Sequence, residues 1–121
     1  MPTNHFTQLR VWQKAHALTL EIYTITRAFP TEERYVLVPQ MRRAALSIET
    51  NIAEGYGRRH AADKARFYTI ALASAQELTC ELIVSRDLRY LTDAAKLLDR
   101  TDEVCRMLRG LEESVLAGVR A

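Results

Sequence analysis

At 121 residues, with 48% of them hydrophobic, the chain can bury one core of its own. Its formal net charge is only +2, with eight Lys or Arg against five acids in residues 1–60 and nine against ten in residues 61–121, a modest basic bias as compatible with a nucleic-acid surface as with an ordinary soluble one. Four glycines and three prolines are too few for the turns of a many-stranded β fold.

The N-terminal stretch MPTNHFTQLR has no apolar run of the kind a secretory signal carries. No apolar segment approaches the roughly 18 residues of a membrane span. Cys80 and Cys105 stand alone in helical patterns, so neither a disulfide scaffold nor a zinc knuckle is expected. A cytoplasmic protein with free thiols is the expectation.

The first helix is predicted from about Leu9 to Phe29. Val11, Ala15, Leu18, Ile22, Ile25 and Phe29 alternate spacings of four and three, the seam of helices packed at a shallow angle. Pro30 stops it. Thr31 is a candidate N-cap for the second helix, followed by Glu32 and Glu33. Pro39 places either a start or a kink there. The apolar stripe of this helix is Leu37, Met41, Ala44, Ile48 and Ile52, and Gly57 is a natural stop. The third helix is predicted from about Ala61 to Tyr90. Its seam is Phe67, Ala71, Ser74, Leu78, Glu81, Ser85 and Leu88, widened by Ile70 and Leu82. The fourth, from about Thr92 to Leu116, repeats the pattern in Leu97, Thr101, Val104, Leu108, Leu111 and Val115. Short loops and four amphipathic helices imply an all-α, up-down-up-down antiparallel four-helix bundle spanning residues 1–121.

The second helix carries an additional pattern. Gln40, Arg43, Ser47, Asn51, Glu54 and Arg58 fall within an arc of about 80°. The arc flanks the apolar stripe, while Arg42 and Glu49 lie nearer the opposite, solvated side. A flanking stripe is partly buried if neighbouring helices supply partners. Glu81, with Glu77 and Ser74 beside it, is the candidate on the third helix, giving an Arg43–glutamate network. A solvated edge with intrahelical pairs such as Glu54–Arg58 fits the spacing as well.

The stretches VWQKAHALTLEIY, FPTEERYVLVPQMRRAALSIETNIAEGYGRR and RFYTIALASAQEL resemble the four-helix-bundle family found as reading frames within intervening sequences of bacterial large-subunit ribosomal RNA genes. The accessory variability determinant of diversity-generating retroelements is similar to the same family. The resemblance is clearest from residue 6 to about residue 91, and RRAALSIETNIAEGYGRR is its most specific part. It implies a ring of five subunits and no established catalysis. In its retroelement branch it implies binding to a reverse transcriptase and to nucleic acid. His60 and Lys64 depart from the family, which favours Ser or Thr and an aromatic residue there; Asp63 keeps the acidic half of a capping box.

Three further groups are candidates. Trp12, His16, Thr19 and Tyr23 form a second stripe on the first helix, suited either to bundle packing or to a subunit interface. Arg58, Arg59, Lys64 and Arg66 cluster around the junction of helices two and three, and Arg10 and Lys14 would join them if the first helix starts nearby. Such cations near a helix N-terminus suit phosphate, although a solvated junction has the same composition. No phosphate-loop pattern accompanies Gly55 and Gly57. His5, His16 and His60 are scattered, with no metal-ligand spacing, so neither a metal nor a cofactor is expected. The expected function is a non-enzymatic homo-oligomeric scaffold or adaptor that contacts RNA, DNA or a nucleic-acid enzyme. The rival is a purely structural assembly.

Overall fold

The computed structural model describes residues 5–120. It contains α1 (Arg10–Thr26), α2 (Leu37–Gly57), α3 (Ala61–Asp87) and α4 (Ala94–Arg120), with 3-10 turns at Phe6–Gln8 and Thr31–Glu33. No strand forms among the described residues. Each helix packs on the next, and α1 closes against α4. The result is an all-α four-helix bundle. Its core takes Val11, Leu18 and Ile22 from α1, Met41, Ile48 and Ile52 from α2, Ala71, Leu78 and Leu82 from α3, and Leu97, Val104 and Leu108 from α4. Those are the heptad positions of α1, α2 and α4, because an apolar stripe along a helix has only one packed direction to face.

The ends differ from expectation for local reasons. α1 stops at Thr26, not Phe29. The amides of Arg27, Ala28 and Phe29 bond three residues back, to Thr24, Ile25 and Thr26, and this tightening ends the helix before Pro30. Phe29 is still buried, against the Tyr90 ring at 5.2 Å. α2 starts at Leu37, with Val36 in the capping position and no side-chain cap; Thr31 opens the 3-10 turn instead. Pro39 lies in the first turn of α2, where its missing N–H costs nothing. At the other end of α2, Lys64 Nζ donates to the carbonyls of Gly55 (3.3 Å) and Tyr56 (2.7 Å), satisfying groups that a helix end leaves open.

α3 ends at Asp87. Arg89 takes a φ of 65°, and the Tyr90 amide reaches back to the Ser85 carbonyl at 2.9 Å, a left-handed terminus. The α3 core face is Ala65, Tyr68, Ala71, Ala75, Leu78, Leu82 and Ser85, with Glu81 buried at its edge as expected. It is rotated from the expected seam: Phe67 and Ser74 are only partly covered, and Ile70 and Leu88 are exposed. Apolar residues lie on every side of α3, so period alone does not select a face. Before α4, Asp93 Oδ1 accepts the Lys96 amide at 3.4 Å, so Asp93 caps the helix start. α4 then continues past Leu116 to Arg120.

α2 and α3 meet closely at Gly55. A Cβ there would lie 2.7 Å from Tyr68 Cε1 and 3.1 Å from Phe67 Cβ. Glycine at this position is a packing requirement, since a methyl group would overlap a buried ring.

Candidate interface and nucleic-acid surfaces

The polar stripe of α2 divides into two parts. Ser47 Oγ and Ser74 Oγ are 2.7 Å apart across the α2–α3 seam, and Asn51 Nδ2 donates to Ser47 O (2.8 Å) and Oγ (3.1 Å). Gln40, Arg43 and Glu54 are exposed, and Glu54 accepts from Arg58 at 3.2 Å. On α3, Glu77 is exposed. Glu81 is only 7% exposed, and neither carboxyl oxygen has a hydrogen-bond partner. Burial, and then the charge of Glu77, push its carboxyl up to about 7.

The expected Arg43–Glu81 pair is therefore not made within the chain. The Ser47–Ser74 contact and the Ser85 Oγ to Met41 Sδ contact (3.5 Å) set an antiparallel register that puts Glu81 level with residues 40–45. Arg43 starts from the outer side of α2 at that level and keeps its guanidinium in water. Hydration outweighs burial for a long, flexible cation on the rim.

The second stripe of α1 is largely consumed by α2. His16 Nδ1 donates to Glu49 Oε2 at 3.0 Å, and its ring stacks on Trp12 at 4.8 Å. Thr19 is buried and donates to the carbonyls of Ala15 (3.0 Å) and Ala45 (3.2 Å). The Tyr23 ring lies 4.7 Å from the Arg42 guanidinium, which also donates to the Tyr23 carbonyl (3.3 Å) and to Thr26 Oγ1 (3.0 Å). This stripe is an α1–α2 seam and not an uncovered patch. Its α2 partners were missed from the sequence: Glu49 is buried and Arg42 partly so, where both had been assigned toward solvent. Their spacing of seven, matching His16 and Tyr23, was the available signal. The exposed apolar side chains include Leu20 on α1 and Leu46 on α2, and Ile70, Val84 and Leu88 on the outer side of α3.

At the α2–α3 junction, the guanidiniums of Arg58 and Arg66 lie 4.6 and 4.7 Å from the Phe67 ring. Arg66 also approaches Asp63 at 3.9 Å, and Lys64 is committed to capping α2. Arg59 is exposed, and no ion pair involves it among the described residues. Arg10 and Lys14 lie at the same end of the bundle but on the α4 side. Lys14 pairs with Glu103 at 3.0 Å and, as the principal cause, holds that carboxyl below its usual range; Arg10 adds a smaller pull. The junction thus gathers Arg58, Lys64 and Arg66, but its cations are mostly balanced. No group of three potential metal ligands occurs among the described residues.

The model of the 23S rRNA-intervening sequence protein family matches residues 7–110. The chain belongs to that family. A comparison with curated proteins finds no match. Among solved structures, a protein of unknown function from the S23 ribosomal protein family of Bacteroides thetaiotaomicron is similar, with a TM-score of 0.78 and 23% sequence identity. The similarity covers 84% of this chain and 97% of that one. At that identity the likeness speaks for the fold, and the fold is shared. No helix among the described residues is long and apolar enough to cross a membrane.

Proposed function

We propose that this intervening-sequence protein is a non-enzymatic helical scaffold that works as a homo-oligomer, with five subunits as the expected number, and that contacts nucleic acid in the cytoplasm. The observation that carries the oligomer is Glu81. A carboxyl this well buried with no donor is a net cost in a monomer, and exposed Val84 and Leu88 follow it one and two turns further along the chain. A second copy bringing a guanidinium to this face would satisfy the carboxylate and cover the apolar side chains.

Nucleic-acid contact rests on clustered arginines, and a reverse transcriptase is the protein partner that the resemblance to retroelement proteins adds. Light scattering is the test of assembly. The expected mass is a multiple of 13.8 kDa, and a monomer at every concentration would remove the oligomer. The purely structural alternative is separated by a gel shift with RNA or DNA, in which binding that weakens steeply as salt rises supports the nucleic-acid role.

A further inference from the structure

The end of the bundle opposite the α2–α3 junction carries a different surface. Pro30 and the 3-10 turn after it carry the chain out of α1 and back into α2. Arg27, Arg34 and Tyr35 are left on the connection, close to Arg42 and Arg43 in the early turns of α2. Two open clefts of about 410 Å³ and 370 Å³ lie side by side here and share Arg34, Val38 and Arg42. Arg27 and Tyr35 line the first, and Tyr23 and Arg43 line the second.

The charge of these clefts is one-sided. Their lining includes four arginines and no acid. Other clefts of the molecule are balanced: Glu54 faces Arg58 in one, and Glu103 accompanies Lys14 and Arg100 in another. Of the acids nearest in sequence, Glu32 is exposed and Glu33 is committed to Tyr90. Glu33 accepts the Tyr90 hydroxyl at 2.9 Å, and this bond, with burial and the charges of Glu33 and Glu32, raises the pKa of that hydroxyl.

The clefts are also partly organised in advance. Arg42 is fixed by its bonds to Thr26 and the Tyr23 carbonyl, and the rest of its donor fork remains for a ligand. Tyr35 is 83% exposed, with the Arg34 guanidinium 5.6 Å from its ring. An aromatic ring this open, among cations and no anions, has an unused stacking face.

We propose that these paired clefts bind single-stranded nucleic acid, with phosphates on the arginines and a base stacked on Tyr35. This inference rests on the nucleic-acid reading above and moves the principal contact from the α2–α3 junction to the α1–α2 corner. A single strand supplies a phosphate and an open ring face at each step, matching a surface of arginines with an exposed tyrosine. A duplex hides its ring faces, and an acidic peptide brings carboxylates but no ring for Tyr35.

The test is fluorescence anisotropy at low and moderate salt, with a labelled oligothymidylate and a DNA duplex as probes. The full-length protein is compared with R34E/R43E, with Y35A and with R58E/R59E. All the altered side chains are exposed, and thermal melts confirm that the variants fold. R34E/R43E should weaken single-strand binding at least tenfold at low salt. It should also lower the slope of log affinity against log salt by about 1.4, the equivalent of two lost phosphate contacts. Y35A should cost on the order of tenfold for the single strand and nothing for the duplex. R58E/R59E should have a smaller effect than R34E/R43E. If R58E/R59E abolishes binding while R34E/R43E leaves it intact, this surface is overturned and the nucleic-acid reading stands. If the duplex binds as tightly and Y35A changes neither affinity, the single-strand occupant is overturned. If the wild-type protein binds neither probe at low salt, the nucleic-acid reading itself fails, and this surface with it.

Discussion

The two long seams of α2 each bury one glutamate, and the two are treated differently. Glu49, in the seam with α1, is met by His16, whose ring is in turn held by Trp12. Glu81, in the seam with α3, is met by nothing. The neighbouring arginines follow the same division. Arg42 is tied into the α1 seam, while Arg43, one residue on, stays in water. Helical spacing brings a polar group to a seam, but the reach and direction of the side chain opposite decide whether it is satisfied. The α1 side is complete within one chain. The α3 side leaves one buried carboxyl without a partner.

The largest expected effect breaks this contrast directly. Because the folded-state pKa of Glu81 is raised, to about 7 from 4.5, ionisation opposes folding. The penalty is absent below about pH 4.5, grows between 4.5 and 7, and is full above 7, where 2.5 units correspond to about 3 kcal/mol in an isolated monomer. Under dilute, monomeric conditions, Glu81→Gln should therefore stabilise the protein by up to that amount at pH 8 and by much less at pH 5, as read from denaturant melts. No gain at pH 8, or a loss there, would mean that the carboxylate already has a cationic partner. In concentrated samples the same variant should show a reduced mass by light scattering, since the proposed docking charge is gone.

Glu49→Ala should act in the opposite sense, costing about 2 kcal/mol because a charged hydrogen bond is lost from a covered site. A thermal melt unchanged from wild type would make the two seams equivalent and remove the contrast. Gly55→Ala tests how tightly the α3 seam is closed. Helix propensity alone favours alanine by about 1 kcal/mol, yet the overlap with Tyr68 should turn this into a net loss of about 1–2 kcal/mol, measured by chemical denaturation. The smallest effect is expected for Ser47→Ala. It leaves the Ser74 hydroxyl and one Asn51 donor to find other partners, at about 1 kcal/mol; a loss above about 3 kcal/mol would mean that this short polar bridge, and not apolar packing, holds the seam.

The polar stripe of α2 was visible in the sequence as a pattern, and Ser47, Ser74 and Asn51 do meet. That Glu81 has no partner was not visible, because helical spacing puts Arg43 level with it while the guanidinium stays in water on the outer side of α2. The four basic residues around residue 60 were conspicuous as a string, and the structure neutralises or employs most of them. The arginines of the α1–α2 corner were inconspicuous because they are spread from Arg27 to Arg43 and converge only when the chain reverses at Pro30.

Sequence alone therefore determined the number of helices, the core stripes of α1, α2 and α4, and the family resemblance. Each of these depends on residues within a few turns of one another, and the 3.6-residue period reports them directly. Only the tertiary structure decided which side of α3 is buried, which glutamate is paired, and where unopposed positive charge collects. Those outcomes depend on contacts between segments far apart in the chain. They are settled by competition among hydration, side-chain reach and packing, for which no local period exists.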